Sequence, residues 1–135
     1  MFDHIVVTVA EDNAKSCLFT VEERVGLLKH IFKNEPRLKI DTFSGLLVEY
    51  AKKKNVKTLL RGIRSVADYE YELQMSLANR MLNQDVDTLF MMTEGRYSHI
   101  SSSIVKQIAA LGGSLTDLVH PVVEKKLKEK FSKRS

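Results

Sequence analysis

Four short apolar runs, separated by segments with helical character, are the feature that most constrains the fold of this 135-residue chain. The runs have the length and the content of β-branched residues that are typical of strands, whereas the segments between them carry helical apolar spacing or capping residues. This alternation predicts an α/β protein whose strands form a parallel sheet connected by right-handed crossovers. The predicted strands lie at 2–10, 38–43, 56–60 and 86–92.

Capping residues predict where the helices begin. Thr20 is followed three residues later by Glu23, and Ser65 is followed by Asp68, the spacing of a capping box. The first strand is almost continuously apolar, so we expect it to be covered on both faces. Further helices are predicted at 45–54, after the serines at 101–103, and, basic and C-terminal, at about 121–131, where Pro121 suits the first helical position.

The helix that begins near Ser65 carries several large apolar side chains. We interpret them as core and interface residues rather than as a cofactor site. They are Tyr71, Met75, Leu77, Ala78 and Leu82.

Composition places few limits on function. The chain is 44% hydrophobic and 28% charged, as in ordinary soluble globular proteins. No apolar run approaches the roughly 18 residues of a membrane span, and we expect neither a signal peptide nor membrane binding. The single cysteine, Cys17, excludes an intramolecular disulfide and fits a reducing cytoplasm. We predict a single domain that spans 1–135.

The net charge of +4 lies in the C-terminal tail. From residue 121 to residue 135 there are six basic and two acidic side chains, which together account for the whole excess. The rest of the chain is therefore neutral. A basic terminal helix is usually a solvated face, so nucleic-acid binding is disfavoured.

Two arginines stand at the junction of the third predicted strand and the following helix. Arg61, the backbone of Gly62, and Arg64 would lie at the carboxyl end of the strand, where open α/β sheets bind ligands. Guanidinium groups suit phosphate because they donate two parallel hydrogen bonds. The junction therefore predicts an anion site. The alternative is that both arginines pair with carboxylates on a solvated face, among them Asp68, Glu70 and Glu72.

Three consecutive serines precede another predicted helix. Ser101, Ser102 and Ser103 stand just before Ile104, where an N-cap and unpaired backbone N–H groups favour a phosphate. Capping accounts for one serine, not for three. A polar helix entrance without a ligand remains the alternative.

Other chemistries lack the residues they need. The four histidines lie far apart without the spacing of metal ligands, so no protein-bound metal is predicted. A Gly-x-Ser-x-Gly sequence is absent, and no base accompanies the lone cysteine. What remains is charge stabilisation by Lys15, Arg61 and Arg64.

Three separated motifs support a more specific interpretation. They are Lys15 with Phe19-Thr20-x-Glu22-Glu23-Arg24, then Arg61-Gly62-Ile63-Arg64-x-x-x-Asp68-Tyr69-Glu70-Tyr71-Glu72, then Tyr97-Ser98-His99-Ile100-Ser101-Ser102-Ser103. In order and spacing they closely resemble bacterial phosphopantetheine adenylyltransferases over nearly the whole chain. The resemblance implies a Rossmann-like parallel sheet of the nucleotidyltransferase type.

The resemblance also implies an activity and a set of partners. The enzymes it points to transfer the adenylyl group of ATP to 4'-phosphopantetheine, giving dephospho-coenzyme A and pyrophosphate in coenzyme A biosynthesis. They are cytoplasmic homohexamers that use Mg²⁺ with the nucleotide.

Site residues follow by position. Lys15 and Arg61 would bind the phosphate of 4'-phosphopantetheine, Leu47 would line its pantetheine arm, and Lys15, Arg61 and Arg64 would be catalytic. The residues implied to contact ATP are Gly62, Ile63, Arg64, Glu72, Tyr97, Ser98, His99, Ile100, Ser101, Ser102 and Ser103.

One departure from the resemblance concerns the start of the chain. The family begins with a strand and a Gly-x-Phe-Asp-Pro-x-Thr-x-Gly-His loop, which this sequence lacks along with most of the first helix. An internal methionine, a truncation or a gene that has lost its front would each account for this. We therefore expect the 135-residue chain to be poorly folded or self-associated, with little activity. The alternative function is a catalytically inactive nucleotide-binding or assembly module.

Overall fold

Strands and helices alternate along most of the chain, as the sequence predicts. The structure is a computed structural model that describes residues 1–12 and 16–133. Its elements are β1 Ile5–Ala10, α1 Val21–Ile31, β2 Leu38–Phe43, α2 Leu47–Lys53, β3 Thr58–Ile63, α3 Val66–Leu82, β4 Asp87–Met92, a short 3₁₀ helix at Gly95–Tyr97, α4 Ser102–Ala110 and α5 Pro121–Ser132. This order confirms the α/β class.

The chain forms two compact units. The first unit comprises Met1–Thr42 and Ile100–Ser135, and the second unit comprises Phe43–His99. In the first unit β1 pairs with β2, and in the second unit β3 pairs with β4 in parallel. A single domain over 1–135 stays a prediction.

Each unit has its own apolar cluster. In the second unit, Val48 and Ala51 of α2 are fully buried, and they pack with Leu59 of β3 and with Val86. The spacing of three residues puts Val48 and Ala51 on one helix face. In the first unit, the buried cluster consists of Val105, Ala109, Leu115 and Leu127.

Burial of β1 and α3 was predicted wrongly. Within β1 only Val9 is buried, and Val6 is 37% exposed. No residue of α3 is buried, and Leu77 is 58% exposed, so the core role expected for its apolar residues is wrong, whereas the interface role stays a prediction. Among residues 1–12 and 16–133, each sheet has two strands. Strands lie about 4.8 Å apart, so two of them make a surface no wider than the roughly 10 Å helix that packs on it. Such a surface cannot cover both a strand and a helix fully.

The starts of α1, α3 and α5 were predicted correctly, whereas α2 begins at Leu47 rather than at Gly45. Thr20 closes a complete capping box with Glu23 at the start of α1, and Ser65 accepts a hydrogen bond from the backbone N–H of Asp68 at the start of α3. Pro121 occupies the first turn of α5. No helix among residues 1–12 and 16–133 is long and apolar enough to cross a membrane.

The end of β3 lies further along than predicted. The strand runs to Ile63 rather than to Leu60, because Arg61 and Gly62 continue the parallel ladder opposite Phe90 and Met91 of β4. Pairing with a neighbouring strand, which the sequence of β3 alone does not reveal, sets this boundary.

Candidate functional site

The carboxyl end of the β3–β4 pair brings together two of the motifs. β3 ends at Ile63 directly opposite Met92, the last residue of β4, and the backbone N–H of Thr93 donates to the carbonyl oxygen of Ile63 at 2.9 Å. Parallel strands end at the same edge of a sheet. The segment that starts at Arg64 and the segment that follows Thr93 therefore begin next to each other. This edge is where α/β sheets bind ligands.

Arg61 is fixed by a carboxylate on α3. Its Nε donates to Oε2 of Glu72 at 2.8 Å and its Nη2 donates to Oε1 at 2.5 Å, which makes a two-point ion pair between strand and helix. The hydrogen bonds that Arg61 donates to Glu72 raise the pKa of its guanidinium, so this group stays protonated. The Arg61 side chain is 46% exposed, whereas that of Glu72 is 12% exposed.

Arg64, which precedes α3, is held in a similar way by Asp68, a carboxylate one turn before Glu72 on that helix. Its Nε donates to Oδ2 of Asp68 at 3.1 Å, and its backbone N–H donates to the same oxygen at 3.2 Å. The backbone N–H of Asp68 in turn donates to Oγ of Ser65. Ser65, which caps α3, and Asp68, which orients Arg64, are thus linked by a hydrogen bond.

These two pairs match the alternative in which the arginines bind nearby carboxylates. Asp68 and Glu72 are four residues apart, so they lie on one face of α3 toward the end of β3. Ligand binding by Arg61 and Arg64 stays a prediction. The Arg61 guanidinium still has N–H groups to offer, since it carries five and Glu72 engages two.

Gly62 lies on β3 between the two arginines. A Cβ atom added there would meet only the Oγ1 atom of Thr93, at 3.9 Å, among the described residues. The absence of a side chain therefore serves no packing need within this unit. It leaves the backbone of Gly62, an exposed residue, open to close approach by a ligand.

The segment after β4 carries the first half of the third motif. Gly95–Tyr97 forms a 3₁₀ turn, and the hydroxyl of Ser98 donates to the carbonyl oxygen of Gly95 at 2.7 Å. The guanidinium of Arg96 lies 4.7 Å from the ring centre of Tyr97, which is 41% exposed. His99 is exposed as well. The turn thus presents an exposed aromatic ring near the edge where β3 and β4 end.

The second half of this motif lies in the first unit, where it begins α4. Oγ of Ser101 accepts from the backbone N–H of Ile104 at 3.2 Å, which confirms the predicted N-cap. Ser102 and Ser103 are exposed, and within residues 1–12 and 16–133 their hydroxyls have no hydrogen-bond partner. Ile100 packs partly buried against the core of its unit. One serine therefore caps the helix, and two have no structural task there.

Two other predicted site residues are located differently. Leu47, the first residue of α2, is partly buried against the cluster of Val48, Ala51, Leu59 and Val86, so it has a packing role in its own unit. Lys15 lies outside the described residues.

Arg24 is a partly buried arginine that sequence reasoning had not singled out as a site residue. Its Nη2 donates to the carbonyl oxygen of Ala10, at the end of β1, at 3.4 Å, and its Nε is buried without a hydrogen-bond partner among the described residues. The sequence contained one signal for this role: Arg24 is a cationic residue that directly precedes Val25, one of the apolar positions of α1.

The described residues do not fit a protein-bound metal. They contain no group of three or more His, Cys, Asp or Glu side chains that could hold an ion. At the end of β3, both carboxylates already pair with arginines.

Comparison with protein families gives one match relevant to this geometry. Residues 1–108 match the family model described as cytidylyltransferase-like. The match covers β1 through most of α4, including the arginines at the end of β3 and the three serines at the start of α4. The strand and helix order, with its parallel pairing, is that of a Rossmann-like nucleotidyltransferase fold.

Proposed function

The chain belongs to the cytidylyltransferase-like family, and on that premise we propose that it transfers the adenylyl group of ATP to 4'-phosphopantetheine. The products are dephospho-coenzyme A and pyrophosphate. Nucleotidyl transfer is the activity of the family in general, and the choice of nucleotide and acceptor rests on the three motifs. The observation that carries the proposal is the position of Arg61 and Arg64 at the carboxyl end of β3, each held by a carboxylate of α3.

The chemistry needs little beyond positioning and charge. An oxygen of the acceptor phosphate attacks the α-phosphorus of ATP in line, the new P–O–P bridge forms, and the bond to the β-phosphate oxygen breaks as pyrophosphate leaves. Both reactants are anions, so bringing them together requires fixed cations. In the second unit, Arg61 is proposed to bind the acceptor phosphate and Arg64 the triphosphate. For Lys15, which lies outside the described residues, the resemblance alone supports a role as a further cation on the acceptor.

Other contacts to ATP are proposed within each unit. In the second unit, the backbone of Gly62 and Ile63, the carboxylate of Glu72, and the exposed segment of Tyr97, Ser98 and His99 would bind the nucleotide. In the first unit, Ile100 and the start of α4 would do so, where Ser102 and Ser103 offer hydroxyls and the first-turn N–H groups that favour phosphate. Leu47 is proposed to line the pantetheine arm.

The remaining parts of the proposal concern conditions and assembly. Mg²⁺ would accompany ATP, bound through the phosphates, and the reaction would take place in the cytoplasm. We propose a homohexamer, which is supported by exposed apolar side chains along α3: Val66 and Met81 are 76% and 86% exposed. No nucleic-acid or membrane partner is proposed.

A second candidate is a nucleotide-binding or assembly module without catalysis. What favours it is that the two arginines and their carboxylates neutralise one another in the unliganded chain. Such a protein would bind ATP without releasing pyrophosphate, so one assay separates the candidates.

The test is pyrophosphate release by the 135-residue chain. ATP is supplied with and without 4'-phosphopantetheine, and CTP replaces ATP in a parallel series because the family as a whole is cytidylyltransferase-like. Acceptor-dependent release from ATP supports the proposal. Release from CTP alone would overturn the choice of nucleotide, and ATP binding without release would favour the second candidate.

A further inference from the structure

We infer that Glu72 is a positioning residue for the acceptor phosphate, because it holds the Arg61 guanidinium by one edge and leaves the other edge for the ligand. This inference rests on the proposed function, which has Arg61 bind that phosphate. It gives Glu72 a task on the acceptor side, in addition to the contact with ATP that its position implies.

The geometry of the pair defines which edge is used. Glu72 engages Nε and Nη2, the side edge of the guanidinium. The end edge, formed by Nη1 and the second hydrogen of Nη2, has no partner among residues 1–12 and 16–133. A guanidinium edge of two parallel N–H groups matches two phosphate oxygens. Arg61 can therefore bind a carboxylate and a phosphate at the same time.

The exposures of the two side chains give them different tasks. Glu72 is 12% exposed and Arg61 is 46% exposed, so the carboxylate is the less exposed member of the pair. Both backbones are fixed, since Arg61 pairs with Phe90 in the sheet and Glu72 lies within α3, seven residues beyond its N-cap Ser65. An arginine loses much rotational freedom when it binds a ligand. With Glu72 in place, that loss has already occurred before the phosphate arrives.

A competing role for Glu72 makes the opposite prediction. If the carboxylate occupied the place of the phosphate, the ligand would have to displace it, and removing the negative charge would tighten phosphate binding. A positioning role requires instead that removal weakens binding and that the Nε hydrogen bond survives in the complex. The two possibilities differ in the sign of one measurement.

The experiment measures binding of 4'-phosphopantetheine, without ATP, by calorimetry. We expect Glu72→Gln to raise the dissociation constant by about tenfold, the size of a lost charged hydrogen bond. Glu70→Gln is the matched control, because Glu70 is an exposed carboxylate on the same helix that pairs with no cation among the described residues. Thermal melts of each variant show whether the fold is retained, and Glu72→Asp serves if Glu72→Gln does not fold.

A double-mutant cycle shows that the effect passes through Arg61. Adding Glu72→Gln to Arg61→Lys should cause no further loss of acceptor affinity, because there is no longer a guanidinium to position. An independent second loss would overturn the inference, as would unchanged or tighter binding by Glu72→Gln alone. In the NMR spectrum, the Arg61 Nε–H signal should persist when the acceptor binds. A wild-type chain that binds no 4'-phosphopantetheine would instead refute the proposed function and, with it, the inference.

Discussion

The ammonium group of Lys130 on α5 lies 2.9 Å from Oε2 of Glu23, the carboxylate that closes the capping box at the start of α1. That same oxygen accepts from the backbone N–H of Thr20 at 2.9 Å. The Lys130 ammonium also lies 5.9 Å from the centre of the Phe19 ring. The basic C-terminal helix was interpreted as a solvated face, but at Lys130 it is joined to the N-terminus of another helix of its unit.

This contact predicts acid sensitivity of the first unit. The hydrogen bond from Lys130, followed by that from Thr20, lowers the pKa of Glu23 from its ordinary value of 4.5. Because the folded-state pKa is lowered, the pair contributes stability that is fully present above pH 4.5 and is lost as the pH falls through the folded value. Lys130→Met should therefore reduce the urea midpoint near neutral pH and flatten its decline below pH 4.5.

The matched control for this prediction is Glu22→Gln. Glu22 is in the same first turn of α1 and has no ion pair within the described residues. We expect its pH profile of urea midpoints to follow that of the wild type. Identical profiles for Lys130→Met and the wild type would show that the pair contributes nothing to stability.

Removing Arg61 should destabilise the second unit more than removing Arg64. Arg61→Met would leave the Glu72 carboxylate, 12% exposed, without its partner, at a cost of about 1–3 kcal/mol. Asp68 is 30% exposed and pairs four residues from Arg64, so Arg64→Met should cost less than about 1 kcal/mol. Urea unfolding of both variants measures the difference.

A rescue variant makes this test stricter. Adding Glu72→Leu to Arg61→Met removes the unpaired carboxylate and should recover part of the lost stability. If the single and double variants unfold at the same urea concentration, desolvation of Glu72 is not the cause.

The three serines of α4 should separate into one structural and two functional residues. Ser101→Ala removes the hydrogen bond to the backbone N–H of Ile104 and should cost about 1 kcal/mol of unfolding free energy. Ser102→Ala and Ser103→Ala lose no hydrogen bond of the described chain, so their stability should equal that of the wild type. Under the proposed function, these two variants should raise the Michaelis constant for ATP. Unchanged kinetics in both would support the polar helix entrance without a ligand.

Structural features that depend on neighbouring residues could be predicted from the sequence, whereas features that depend on pairing with distant segments could not. The caps at Thr20 and Ser65 involve residues three apart, and both were predicted correctly. The extension of β3 through Arg61 and Gly62 was missed because it depends on the ladder with β4. The exposure of Leu77 could not be predicted from the sequence, because it depends on how many strands pair beneath α3, and that number is set only when the unit folds.

The partner of each arginine could be predicted only as a set. Asp68, Glu70 and Glu72 were all possible from the sequence, and the structure selects Asp68 and Glu72. These two share a helix face at a spacing of four, whereas Glu70 is rotated away by two residues. Helical periodicity could therefore have narrowed the candidate partners of the arginines to Asp68 and Glu72. Which carboxylate takes which arginine depends on the packing of α3 against β3.

Gly62→Ala tests whether a ligand approaches the backbone of β3, and we expect the substitution to leave the fold intact. A methyl group at this position would meet only Oγ1 of Thr93, at 3.9 Å, which is ordinary van der Waals contact. In a strand, alanine also restricts the unfolded chain more than glycine does, so stability should be unchanged or slightly higher. If ATP approaches the backbone between Arg61 and Arg64, the methyl group must obstruct it, and the Michaelis constant for ATP should rise by about tenfold or more. Gly26→Ala is the control, since its added methyl meets nothing within 4 Å among the described residues and lies on α1 in the first unit. A stable Gly62→Ala variant with wild-type ATP kinetics would mean that the nucleotide does not approach this strand end.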